Sequence, residues 1–190
     1  MWPSVVWRAP DRDSGRMPPP PVGLTVIGYV RSAYSELAHT PVQSSLNRNE
    51  GATIEIDPAL AAGLDGLEGF DYAWLLTWLH ATDPANAGDL RQVPFLARGT
   101  GRAVGIFATR GPRRINPIGL SLIRVLGVSG AVVRFNGVDV VDGTPVVDLK
   151  PYVAAFDQPG GRPRCGWLDQ VALPPGATPA SLGGAPPVGD

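Results

Sequence analysis

Glycine and proline break this chain at short intervals, and that spacing leaves room for strands and little else. The 190 residues include 24 glycines and 21 prolines. Proline removes a backbone donor and breaks a helix interior, and glycine weakens one through lost entropy. Between the breaks lie short runs rich in branched and aromatic residues, which suit a half-buried pleated surface. They cover residues 24–30, 53–57, 72–80, 103–108, 120–128, 131–135 and 145–149. The run 72–80 is long enough for a central strand. Only Pro58–Leu64 reads as a short helix, with Asp57 to cap it and Pro58 at its first position. Several short strands and few helices predict an all-β fold, a barrel or a sandwich.

The same reading divides the chain. Residues 1–22 are rich in proline and arginine, lack a hydrophobic period, and are expected as a disordered leader without the apolar run of a signal peptide. Residues 169–190 are expected as a disordered Pro/Gly-rich tail, leaving 23–168 as the folded domain. Trp167 and Leu168 are expected to dock on the core, because exposing them to water is costly. The longest apolar stretch, 72–79, is too short to span a bilayer, so a cytoplasmic protein is expected. One cysteine, Cys165, excludes an intrachain disulfide, and two distant histidines, His39 and His80, predict no metal site.

Net charge is near zero, but the charges are sorted. Residues 50–90 hold eight acids and no Lys or Arg, and residues 91–135 hold eight arginines and no acid. Two readings are open: the basic segment meets phosphates, or the two segments face each other within or between subunits. Fifteen of the sixteen basic residues are arginine, which makes Lys150, the only lysine, informative.

Two segments carry chemistry. The first runs Phe107-Ala108-Thr109-Arg110-Gly111-Pro112-Arg113-Arg114-Ile115-Asn116-Pro117-Ile118-Gly119-Leu120-Ser121. It holds three arginine forks suited to carboxylate or phosphate, on a loop stiffened by proline. The plain alternative is a solvated loop. The second contains Asp139, the turn Asp142-Gly143, and Asp148-Leu149-Lys150-Pro151-Tyr152. Asp148 and Lys150 are two apart and share a strand face. With Tyr152 they bind a polar ligand or move a proton, or else form a surface ion pair. His80 is read as a capped strand end or a catalyst. No dinucleotide fingerprint, phosphate loop or nucleophile elbow is present.

These segments resemble the TrmO/TsaA (YaeB-like) family of S-adenosylmethionine-dependent tRNA methyltransferases. The likeness rests on Ile27-Gly28-Tyr29-Val30-Arg31-Ser32 with Tyr34, on Gly66-Leu67-Glu68-Gly69-Phe70-Asp71-Tyr72-Ala73-Trp74 leading to His80, on both chemical segments, and on Gly166-Trp167-Leu168. It implies a small single-sheeted β-barrel, a homodimer, and S-adenosyl-L-methionine bound near the subunit interface. The acceptor implied is N6 of a threonylcarbamoylated adenosine at position 37 of tRNA. Carried onto matching positions, the cofactor contacts are Pro41, Val42, Gln43, His80, Ala81, Arg110, Leu120, Val138, Asp139 and Asp142. Arg113, Arg114, Asn116 and Lys150 are expected to face the acceptor. The chain departs from the family pattern at Val42, where a basic residue is usual, and at Ile115, where proline is usual. In place of the extra C-terminal domain of many bacterial members stands the Pro/Gly-rich tail.

The acceptor nitrogen is a weak, ureido-type nucleophile and needs a proton acceptor, with Asp139, Asp148 and Tyr152 as candidates and Lys150 positioning an anion. A small-molecule methyltransferase and a non-catalytic cofactor-binding module are the competing expectations.

Overall fold

A computed structural model describes residues 23–82, 89–171 and 175–182. The expected leader at 1–22 and the last eight residues of the expected tail lie outside them. Six antiparallel strands close into one barrel: β1 (Gly28–Arg31), β2 (Gly51–Ile56), β3 (Tyr72–Trp78), β6 (Ile118–Ser129), β7 (Val132–Asn136) and β8 (Pro145–Pro151). Around the wall they run β1, β2, β7, β6, β3, β8 and back to β1. Closure leaves no open edge for another chain to pair with. Two further short strands, β4 (Arg91–Gln92) and β5 (Val104–Gly105), form a separate ribbon.

The alternation within each run decides which residues turn inward. Along β3, Ala73, Leu75 and Thr77 are buried, while Tyr72, Trp74, Leu76 and Trp78 face out. Val30, Ile54, Ile123, Val133, Phe135 and Val146 complete a core in which each is fully buried. Full burial of such side chains stabilises by roughly 1.5–3 kcal/mol each. Gly28 is required where β1 crosses β2, because a Cβ there would fall on the Glu55 carbonyl. A bulge at Val125/Gly127 bends the long β6 where it meets β7, and Gly127 accepts the bend.

The expected helix is present as a 3-10 helix, Pro58–Leu64, capped where Asp57 Oδ1 accepts from Ala59 N at 2.9 Å. At seven residues it is long for this tighter winding, and it places Leu64 in the core. The run 103–108 behaves differently from expectation. Only Val104–Gly105 extend, and Ile106–Ala108 wind into a 3-10 turn. Ile106 is buried, and both the amide and the hydroxyl of Thr109 return to its carbonyl, at 3.1 and 2.8 Å.

Residues 175–182, within the expected loose tail, lie along residues 38–46. Val42 N donates to Ala177 O (2.9 Å), Gly176 N to Leu46 O (2.6 Å) and Ala180 N to Ala38 O (2.9 Å). A segment low in hydrophobic side chains is held here by backbone bonds, which composition does not report.

Candidate functional site

The barrel core turns polar towards one end. Thr77, Gly119 and Ser121 occupy inward positions there, and Thr144 is buried beside them. Asp139, in the loop after β7, is fastened by both oxygens: Ser121 Oγ donates to Oδ1 at 2.6 Å and Ser44 N to Oδ2 at 2.8 Å. Enclosure pushes its pKa up to about 6, against the pull of Ser121, Ser44 and the Arg110 charge. Asn47 Nδ2 donates to Val138 O (2.8 Å), to Tyr34 Oη (3.1 Å) and to Glu50. Tyr34 in turn donates to Glu50, and burial together with that bond pushes its pKa up to about 12.

A narrow cleft opens here. Its walls are Leu37, the segment Leu79, His80, Ala81 and Thr82, Pro112, and Asp139, Val140, Val141 and Thr144. His80 stands exposed at the rim, its amide bonded to Trp78 O. Pro41 is buried, and Gln43 folds its amide back onto Val42 O (2.8 Å). Thr77 Oγ1 is buried with no hydrogen-bond partner among the described residues and lies beneath Leu79, against the same Gly119 position. A larger open hollow lies at the far end of β6, lined by Leu64, Asp65, Gly66, Glu68, Val128 and Gly130, away from this polar cluster.

The arginine loop is built on backbone carbonyls. Arg110 Nη2 donates to Leu120 O (3.0 Å) and Arg114 Nη1 to Thr109 O (3.1 Å). Gln92 Nε2 reaches Arg113 O (3.3 Å). Asn116 is exposed, and its carbonyl accepts from Ile118 N. Arg110 and Arg114 therefore turn to their own loop and to β6, so neither needs an acidic segment to hold it.

Asp148, Lys150 and Tyr152 occupy the outside of the wall. Lys150 Nζ sits 2.7 Å from Asp148 Oδ2, with side chains 64% and 39% exposed. In register, Trp74 lies beside Lys150, and Leu76 lies between Asp148 and Leu120. The Tyr152 ring meets Tyr72 and Trp74 edge-on, at 6.4 and 6.0 Å. The Arg110 anchor on Leu120 and the Asp148–Lys150 pair are thus two strand spacings apart on one outer face, about 10 Å. Asp139 is on the inner side of that wall and does not join them. Asp142 sits in the turn before β8. Its Oδ1 accepts from Ser32 N (3.1 Å) and its Oδ2 lies 4.0 Å from Arg31, so it fastens β1 to the turn before β8.

Sequence reading missed Ser121 and Ser44 as contributors, while Trp167, expected to dock, donates to Ala108 O. Ser121 had a signal: an inward polar residue in an otherwise apolar strand face. Ser44 acts through its backbone and had none.

The segments that build this end of the barrel are those of one known family. The family model described as the tRNA-methyltransferase O N-terminal domain matches residues 29–158. The chain belongs to the TrmO family. A TrmO-family relative from Methanothermobacter thermautotrophicus, named a probable S-adenosyl-L-methionine-binding protein, is 39% identical over 139 residues, covering 73% of this chain and 96% of that one. The mouse tRNA (adenine(37)-N6)-methyltransferase is 38% identical over 137 residues, covering 70% of this chain and 31% of its own length. The crystal structure of TrmO from Pseudomonas aeruginosa superposes with a TM-score of 0.66 at 32% identity, covering 80% of this chain and 65% of that one. The chain thus spans nearly the whole archaeal relative but about a third of the mouse enzyme. The single-sheeted barrel implied by the TrmO resemblance is the fold observed.

Proposed function

We propose that this chain is an S-adenosyl-L-methionine-dependent methyltransferase that methylates N6 of adenosine 37 in tRNA, with the threonylcarbamoylated base as acceptor. The observation that carries the reading is the match of residues 29–158 to the TrmO domain, which includes every strand that shapes the cleft. Relatives named for the same cofactor and the same tRNA position support it.

The residues suit the cofactor. Asp139 stands in the cleft wall and, through Ser121 and Ser44, holds the strand and the loop that shape it. Arg110 uses one N–H on Leu120, which leaves donors of its fork for a carboxylate. Pro41, Val42, Gln43, His80, Ala81, Leu120 and Val138 complete the proposed contacts, while Asp142 would serve by holding the turn. When bound, the cofactor supplies an activated methyl group, so alignment is the protein's main task.

The acceptor side belongs to the outer wall. Arg113, Arg114 and Asn116 on the loop meet the RNA, and Lys150 holds an anionic group of the modified base. Asp148, exposed and with lone pairs beyond its bonds to Lys150 and Leu149 N, takes the N6 proton, and Tyr152 flanks it. Asp139 is too enclosed for that role and holds the loop around Ser44.

A homodimer and a cytoplasmic location complete the proposal. Tyr72, Ile118, Leu120 and Leu126 leave 39–46% of their surface exposed on one side of the barrel, an apolar face suited to a second copy. Among the described residues no helix is long and apolar enough to cross a membrane. Incubating the protein with S-adenosylmethionine and threonylcarbamoylated tRNA, then analysing nucleosides by mass spectrometry, tests the function. The expected product is the N6-methylated nucleoside. Cofactor binding without that product would instead favour a small-molecule acceptor.

A further inference from the structure

The cleft is flanked by two loops that the barrel holds incompletely. One wall carries Leu37, in the 3-10 turn Leu37–His39, and residues 41–43 follow that turn before the next, Ser44–Leu46. The barrel grips that stretch through Ser44 N on Asp139 and Asn47 on Val138 O. The other wall carries Pro112, on the loop that holds Arg110 and follows the Ile106–Ala108 turn.

Both loops are tied by chain that lies beyond the family match at 29–158. The Trp167 indole N–H donates to Ala108 O at 2.8 Å, two residues before Arg110. Trp167 sits in the 3-10 turn Gly166–Gln170, which is closed where Asp169 Oδ2 accepts from Cys165 N. Further on, residues 176–180 run antiparallel to residues 38–46. They satisfy Val42 N and the carbonyls of Ala38 and Leu46, with Ala177 only 2% exposed. These are backbone groups outside the strand ladders of the barrel, and leaving such groups unpaired is costly. The peptide between Pro41 and Val42, which the cofactor is proposed to meet, is thus oriented by the tail.

We propose that the segment after β8 is part of the cofactor site: Trp167 and residues 176–180 brace the two loops that flank the cleft and set its affinity for the cofactor. The brace rests on the reading of this cleft as the S-adenosylmethionine site. Trp167 and Ala177 are positioning residues, since each acts through a loop and not by contact with the reacting atoms.

The test uses the full chain and two variants. Trp167→Phe keeps an aromatic ring and removes the N–H. Ala177→Arg forces a long side chain into a closed seat. Each is expected to weaken S-adenosylhomocysteine about fivefold by calorimetry, the loss of one or two neutral hydrogen bonds. KM for S-adenosylmethionine should rise with it, while kcat at saturating cofactor stays within about twofold. Amide exchange at Val42 and Ala180 should accelerate in Ala177→Arg. Unchanged affinity in both variants overturns the proposal, even if thermal stability falls, because the tail is then merely structural. Unchanged exchange at Val42 overturns it as well. A wild-type chain that takes up no cofactor overturns the reading of the cleft itself, a result separable from tight binding that the variants do not alter.

Discussion

The Ser121 hydroxyl donates to Asp139 Oδ1 at 2.6 Å, and this bond fastens β6 to the loop after β7. The same carboxylate holds the loop around Ser44 through its other oxygen. One enclosed acid thus connects three elements around the cleft, and its ionisation links stability to pH. Folding raises its pKa to about 6, so the folded chain keeps the proton where the unfolded chain has released it. The contribution of this group to stability is therefore most favourable below about pH 4 and falls as pH rises from there to about 6, by on the order of 3 kcal/mol. Asp139→Asn keeps an acceptor for Ser44 N and a partner for Ser121. Its Tm is expected to equal or exceed wild type at pH 7.5 and to lose this part of the pH slope, while cofactor affinity falls. Thermal melts at pH 5 and 7.5 check it, and a variant with a lower Tm at pH 7.5 contradicts it.

Arg110 is fastened to Leu120 O by one arm, and its remaining donors are proposed to take the cofactor's carboxylate. Arg110→Ala should weaken S-adenosylhomocysteine by about tenfold or more, as expected for a lost charge-assisted bond. Lysine should restore little, since an ammonium cannot hold Leu120 O and a carboxylate in the same fork. Calorimetry on both variants decides.

Lys150 tests the acceptor side. Lys150→Ala should cut kcat/KM on modified tRNA by about ten- to a hundredfold while cofactor affinity stays near wild type. Normal turnover would leave the Asp148–Lys150 pair as a surface ion pair, worth little to stability. Loss of cofactor binding would assign Lys150 to the donor side.

Gly119 is packed without slack. A Cβ there would overlap Thr77 Oγ1 and lie 3.0 Å from Leu79, whose neighbour His80 stands at the rim. Gly119→Ala should destabilise by about 1–3 kcal/mol, because the extra methyl must displace the buried Thr77 hydroxyl and push the Leu79 side chain aside. Urea denaturation measures it, and Thr77→Ala in the same chain should recover part of the loss.

The proposed dimer is checked by light scattering, which should report twice the 20.0 kDa of the chain at micromolar concentration. Ile118→Glu, on the exposed apolar face, should shift it towards the monomer by burying a charge without a partner. A monomeric wild type contradicts the dimer directly.

Strand content, the Pro58–Leu64 turn with its Asp57 cap, the family, and the shared face of Asp148 and Lys150 were all legible in the residues, because each depends on neighbours a few positions away. Period-two alternation assigns a face locally, and a capping carboxylate reaches an amide two residues on. What the residues alone left open depended on distant partners. Barrel closure decided that Asp139 lies inside the wall while Asp148, Lys150 and Tyr152 lie outside, so one stretch of sequence supplies two separate environments. The bond from Ser32 N to Asp142, 110 positions away, had no signal in the sequence either. The tail shows the limit most clearly. Its proline and glycine content predicts no structure, since it has little apolar surface to bury, yet backbone bonds to residues 38–46 hold part of it in place. Backbone hydrogen bonds carry no side-chain signature, so only the tertiary structure could show them.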